Sequence, residues 1–274
     1  MLKPDEVFVL SGIKKIENQD QKPVISAYII TKNEEKNIGR ALESIQWMDE
    51  IIVLDSGSTD KTVEIAKKYG AHVETEAFKG FVRQKNRAME LCRGVWLFNL
   101  DADEEVTPEL RKSIHQVLND TISPETPVLF KVCRKTMYMG RWMKHCGWYP
   151  EYRARLSREG HAKWKGEVLH ERLECNGMSG CIRGDILHRP YANLGEHLRT
   201  IDCYSELWAK REASKGRKTG LCSLVFRSFL KFMKMYIVKT GFMDGRQGFI
   251  ASIMGTWYTF MKYIRLYELS RDDK

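Results

Sequence analysis

From Val24 onward, apolar and polar positions alternate between two periods. Val24–Ile30 is a β-rich apolar run that predicts a buried strand. After the polar corner Thr31-Lys32-Asn33-Glu34, Ile38, Leu42 and Ile45 fall on one helical face. Ile51–Leu54 predicts a second strand ending at Asp55. The cap-rich corner Ser56-Gly57-Ser58-Thr59-Asp60 then leads into a helix that stops near Gly70. Ala71–Glu74 predicts a third strand, Val82–Cys92 a helix, and Val95–Leu100 a fourth strand running into Asp101-Ala102-Asp103. Thr107-Pro108-Glu109 opens another helix, with a capping residue followed by proline at the first helical position.

Strands alternating with helices at this spacing indicate βαβ units and a mostly parallel, doubly wound α/β sheet. In such sheets ligands bind beyond the carboxyl ends of the strands. Asn33, Glu34, Asp55, Asp101 and Asp103 all fall at those ends. Acids and amides populate loops in any protein, which accounts for one of these residues but less well for the set.

Residues 127–189 look less regular, rich in Trp, Arg, His and Gly, as expected of short strands and loops on an acceptor side. From Tyr191 the pattern is helical again. Leu221–Val238 mixes Phe, Leu and Met with Arg227, Lys231, Lys234 and Lys239, and Phe249–Leu269 is similarly aromatic, with a turn expected at Asp244-Gly245. The chain divides into an N-terminal extension (1–22), an α/β domain (23–190, in halves of about 23–125 and 126–190) and a helical basic-aromatic region (191–274).

The formal charge of +9 favours an anionic partner without choosing among nucleic acid, phospholipid and phosphorylated substrate. The lysines are dispersed and no nucleic-acid-binding module is present, which argues against nucleic acid. No glycine-rich G-x-G-x-x-G follows the first strand, which sets aside a nicotinamide-dependent dehydrogenase. The seven cysteines form no C-x-x-C pair and suit reduced, packed thiols in a cytosolic protein. The polar start does not resemble a signal peptide, and no stretch reaches the roughly 18 apolar residues of a spanning helix. Apolar faces edged with Lys and Arg suit C-terminal amphipathic helices lying in a membrane interface; a helical pair packed on the catalytic domain is the competing expectation.

Carboxylates two residues apart at a strand end, as in Asp101-Ala102-Asp103, can converge on one hard cation such as Mg²⁺ or Mn²⁺. Arg153 and Arg155 offer forks suited to a phosphorylated acceptor, or are ordinary strand-surface arginines.

Three ordered segments, Ile25–Glu35, Ile52–Asp60 and Leu100–Glu105, together resemble the family 2 inverting glycosyltransferases with the GT-A fold. Trp164–Glu171 and Asp244–Phe249 resemble, more narrowly, the lipopolysaccharide inner-core glucosyltransferase branch. The resemblance implies that Asp55 bonds the nucleotide base, usually uracil, with Thr31, Asn33 and Glu34 lining the same pocket. It implies Asp103 as direct metal ligand and Asp101 as a contact to ribose or metal-bound water. It also suggests Lys85, in Gln84-Lys85-Asn86, as a cation meeting the diphosphate, an exposed helix lysine being the alternative. Glu171 or Glu167 would remove the acceptor proton, and His170 or His188 would add a metal or diphosphate contact. The implied partners are a nucleotide-sugar, UDP-glucose foremost, and a lipid-linked saccharide at the inner face of the cytoplasmic membrane. An ADP-heptose or UDP-galactose donor, or a non-catalytic nucleotide-sugar-binding protein, are the alternatives.

Overall fold

The computed structural model describes residues 24–120, 123, 125–166 and 171–270. Strand β1 (Ile25–Thr31) is buried along nearly its whole length. Ile25, Ala27 and Ile29 pack into one core and Tyr28 into another, so alternate positions serve opposite sheet faces. Helix α1 (Ile38–Ile45) buries Ile38, Ala41, Leu42 and Ile45, a single helical stripe. β2 (Glu50–Asp55), α2 (Thr62–Lys68), β3 (His72–Thr75), α3 (Phe81–Glu90) and β4 (Trp96–Asn99) follow, each within a residue or two of expectation. These four strands are parallel, in the order β3-β2-β1-β4. The order reverses between β1 and β4, and a crevice opens beyond strand ends at such a switch point.

β5 (Glu104–Val106) leads into α4 (Pro108–Asn119), where the Thr107 hydroxyl accepts from the Leu110 amide at 3.3 Å. The stretch expected to be irregular is instead the second half of the same sheet. It comprises β6 (Leu129–Tyr138), the short β7 (Arg141–Trp142), β8 (Glu151–Arg158) and β11 (Ser179–His188), with β9 (Ala162–Lys165) and β10 (Arg172–Cys175) forming a separate hairpin. β8 runs antiparallel to β4 and β6, β11 is parallel to β6, and β5 closes the far edge. Two features hid these strands. Their period-two pattern is interrupted by Arg and Lys, and register breaks fall between Phe130 and Lys131 and between Cys181 and Asp185.

One sheet face is covered by α1, α2 and α4, the other by α3 and the β9–β10 hairpin. Beyond the sheet, α5 (Leu194–Ser214), α6 (Leu221–Met233) and α7 (Gly245–Leu269) pack on one another, α6 ending in a wide helical turn at Lys234–Val238. Asp244, fully buried, tethers this bundle to the β7 loop. Its carboxylate accepts from the Lys144 and His145 amides at 3.0 and 2.7 Å, and Arg141 Nε lies 3.4 Å away. Gly248 completes the joint: a Cβ there would lie 1.8 Å from the Gly241 carbonyl oxygen. The Asp244–Phe249 motif is therefore a structural clasp. No helix among the described residues is long and apolar enough to cross a membrane.

Asp244→Ala strips two amides of their buried acceptor, so stability measured by urea unfolding should fall by about 2–4 kcal/mol.

Candidate active site

The nucleotide-side loops are built by side chains that bond their own backbone. Asp55 closes β2 and is buried; its Oδ2 accepts from the Gly57 and Ser58 amides at 2.9 Å, and its Oδ1 from the Ser58 hydroxyl. A carboxylate has about four acceptor sites, so Oδ1 keeps capacity for a ligand. Asn33 adopts φ 55°, in the left-handed region that Asn tolerates. Its Oδ1 accepts from the Thr59 amide and its own amide donates to the Ser58 hydroxyl, both at 2.8 Å, which joins the β1 and β2 loops. Thr31 Oγ1, at the end of β1, is buried with no hydrogen-bond partner. Glu34 accepts from Asn37 Nδ2 at 2.8 Å; burial raises its carboxyl pKa, and the neighbouring Asp103 and Asp60 charges add to the shift.

Lys85 and Asp101 meet where α3 faces the end of β4. Lys85 is almost wholly buried, with Nζ 3.3 Å from Asp101 Oδ1, 3.9 Å from Glu171 Oε1 and 4.4 Å above the Trp164 ring. Trp164 is fixed in turn. Its indole N–H donates to the Tyr28 hydroxyl at 2.8 Å, and Asn86 bonds its backbone amide and carbonyl, each at 2.9 Å.

The other oxygen of Asp101 belongs to Arg155, and here an expectation is corrected. Arg155 does not offer its fork to an acceptor. It is 3% exposed and donates to Asn99 Oδ1 at 2.5 Å, Asp101 Oδ2 at 2.9 Å and Glu104 Oε1 at 2.5 Å. Phe130 faces Leu156 while Lys131 faces Ala154, so Arg155 is the extra residue of a β-bulge, a device that re-aims a side chain. Arg153 is exposed and pairs with Glu151, which also takes Arg134. Burial opposes ionisation of Asp101, but Arg155 and Lys85 outweigh it and hold the carboxyl well below the usual range. Burial, with Asp101 adding to it, raises Glu104 instead. With both Asp101 oxygens engaged by cations, the carboxylate serves as their countercharge, and no group of three metal-ligating side chains converges among the described residues.

Asp103, two residues on, faces a different partner. Its Oδ2 lies 3.2 Å from His188 Nε2 at the end of β11, and His188 Nδ1 lies 3.3 Å from the Thr136 hydroxyl. A second ring partner of this kind fixes imidazole orientation. Glu167 and His170 lie outside the described residues. Asp103 and His188 line a cavity of about 600 Å³ whose opposite wall comes from the C-terminal helices, including Tyr204, Lys231 and Tyr258. A larger cleft of about 680 Å³, at the α3 N-terminus, contains none of the acid cluster. Sequence reasoning missed Glu104, Asn99 and Trp164 as parts of the site, and missed the helical wall. Glu104 had a signal, since it directly follows the acid triplet.

Residues 26–171 match the family model described as Glycosyl transferase family 2, and the chain belongs to that family. Its α/β sheet, flanked by helices on both faces, is of the GT-A type. Among curated proteins it is 29% identical over 256 residues to the lipopolysaccharide core biosynthesis glycosyltransferase LpsC of Rhizobium meliloti (strain 1021), covering 89% of this chain and 92% of that one. Among solved structures it aligns with glucosyl-3-phosphoglycerate synthase from Mycobacterium tuberculosis, in complex with Mn²⁺, UDP and glucosyl-3-phosphoglycerate. That match has 27% identity, covers 43% of this chain and 45% of that one, and has a TM-score of 0.34. It also aligns with S. aureus TarS in complex with UDP-GlcNAc, at 13% identity, 91% coverage of each chain and a TM-score of 0.44.

Arg155→Met should leave Glu104 and Asp101 buried without their main cation, lowering stability by about 3–5 kcal/mol in denaturant unfolding. Arg153→Met, on an exposed pair, should change stability by less than about 1 kcal/mol.

Proposed function

We propose that this family 2 enzyme transfers a hexosyl group, with inversion, from a uridine diphosphate sugar to a lipid-linked saccharide at a membrane surface. The observation that carries the proposal is the placement of Lys85–Asp101 and Asp103–His188 side by side at the strand-end crevice, in front of the cavity walled by the C-terminal helices. Glucose is the favoured sugar, with ADP-heptose and UDP-galactose as alternative donors. The similarity to a protein named for lipopolysaccharide core biosynthesis supports a saccharide acceptor of that class.

The loop residues Thr31, Asn33, Glu34 and Asp55 fit the nucleoside; the partnerless buried Thr31 hydroxyl and the spare capacity of Asp55 Oδ1 are the groups left for it. One carboxylate and one imidazole, Asp103 and His188, fit Mg²⁺ or Mn²⁺ shared with diphosphate oxygens. A bound ion would stabilise the charge that grows on the departing diphosphate. Lys85 adds a fixed positive charge for the same diphosphate. Its partners Asp101 and Trp164 hold it in place before the donor arrives, so little reorganisation is needed. Glu171, 3.9 Å from Lys85, is the first candidate to accept the proton of the attacking hydroxyl. Glu167 is the second candidate for that role.

The membrane footing rests on α6 and the turn that follows it. Val225, Phe226, Phe229, Leu230, Ile237 and Val238 are exposed together, edged by Arg227, Lys234 and Lys239. An apolar strip with a cationic margin suits the headgroup region of an anionic bilayer. The seven unpaired cysteines accord with the reducing, inner face of the cytoplasmic membrane.

UDP should raise the melting temperature in the presence of Mn²⁺, and Asp103→Ala should remove that shift; ADP acting in its place would redirect the donor to a heptose. Glu171→Gln should keep the UDP shift while lowering UDP release from UDP-glucose, in the presence of saccharide acceptor, by about 10²–10⁴-fold. In sedimentation with phosphatidylglycerol-containing vesicles, the pair Phe226→Ser and Phe229→Ser should weaken binding by about tenfold or more. Unchanged sedimentation of that variant would remove the membrane footing.

A further inference from the structure

The cavity in front of Asp103 has a cationic wall that glycosyl transfer to a neutral sugar leaves without a task. Lys231 lines it from α6, and its ammonium group has no carboxylate or hydrogen-bond partner among the described residues. Lys231 Cε lies beside Gly255 of α7, where the missing Cβ makes room for the neighbouring Met235 side chain. On α7 stands Lys262, with Nζ 4.2 Å over the Trp208 ring and 5.2 Å over the ring of Tyr258, itself a wall residue. Burial, then the Lys234 charge, lowers the pKa of Lys231; burial, then the Lys231 charge, lowers that of Lys262. Both ammonium groups are partly withdrawn from water, and the Glu212 charge offsets part of the shift of Lys262.

Other buried cations near the site are all neutralised. Lys85 has Asp101, Arg155 has Asp101 and Glu104, and Arg134 has Glu104 and Glu151. A lysine partly withdrawn from water without a countercharge carries a desolvation cost, and an incoming anion offsets it. The side-chain geometry of α6 decides which anion. Leu224, Ser228, Lys231 and Met235 form the inward helical stripe, while Val225, Phe226, Phe229 and Leu230 look outward. Lys231 shares its space with Asp103 and His188, not with the exposed strip.

We infer that Lys231, backed by Lys262, binds an oxyanion, a phosphate ester or a carboxylate, carried by the acceptor saccharide close to the sugar that receives the transferred group. This inference rests on the transferase proposal and specifies its substrate as an anionic glycan. Tyr191, Tyr204 and Tyr258 give the same cavity amphipathic ring surfaces against which a sugar can lie.

The test is isothermal titration of glucose 6-phosphate, and of glucose, into protein saturated with UDP and Mn²⁺. Glucose 6-phosphate should bind and glucose should bind at least about tenfold more weakly. Lys231→Ala should weaken glucose 6-phosphate binding about tenfold or more, Lys231→Arg should restore most of it, and Lys67→Ala, which removes an exposed charge on α2, should leave it unchanged. Equal binding of the two sugars, or an unaltered Lys231→Ala variant, would overturn the inference. Phosphatidylglycerol vesicles separate the two sources of phosphate: Lys231→Ala should sediment with them as the parent protein does. If it lost vesicle binding but kept glucose 6-phosphate binding, the lysine would be a headgroup contact and the acceptor assignment would fall. The UDP melting shift, run on the same samples, reports on the donor site separately, so a negative sugar titration with the shift intact counts against this inference alone.

Discussion

Everything at the strand-end crevice leans on one buried guanidinium. Arg155 gathers Asn99 from the end of β4, Asp101 from the acid triplet and Glu104 from the start of β5, three acceptors from one continuous turn of chain. Without a cation there, a fully buried Glu104 and a partly buried Asp101 would repel in a poorly solvating interior. With it, the turn after β4 acquires a fixed shape. Asp101 points to Lys85 and Asp103 points to His188, so two neighbouring acids are assigned to two different partners, an ammonium and an imidazole.

That division explains why two carboxylates spaced by one alanine need not act alike. One is locked into the protein's own charge network and stays ionised because Arg155 and Lys85 stand beside it. The other reaches an imidazole and the open cavity. Lys85 is held by the same network, with Asp101 3.3 Å and Glu171 3.9 Å from its Nζ. A donor diphosphate approaching that lysine would meet a cation already held in place.

The first half of the sheet could be read from the chain because its strands are buried on both faces and its helices carry plain apolar stripes, as at Ile38, Leu42 and Ile45. Strand ends then located Asp55, Asp101 and Asp103. The second half resisted because β6 and β8 carry arginines and lysines at positions that a simple alternation assigns to the core. Arg155 is the clearest case. Nothing local marks it as buried: the bulge that turns it inward exists only in the pairing of β8 with β6, and its three acceptors lie more than fifty residues away in sequence. The Asp244 clasp was hidden in the same way, because its partners come from the loop around Lys144 and His145. The cavity wall depends in turn on how that clasp docks three helices against the sheet.

Helix α6 turns one face to the cavity and the opposite face outward. On the proposed membrane footing, that makes the helix a spacer. An α-helix with its side chains is about 10–12 Å across, so the cavity floor is held about that far above the lipid surface. A sugar attached directly to the lipid would lie too low to reach Asp103, and one at the end of a long flexible glycan would not be held at that height. The thickness of a single helix would then set which residue of a growing saccharide can be extended, by length alone and independently of any hydrogen bond to the sugar itself.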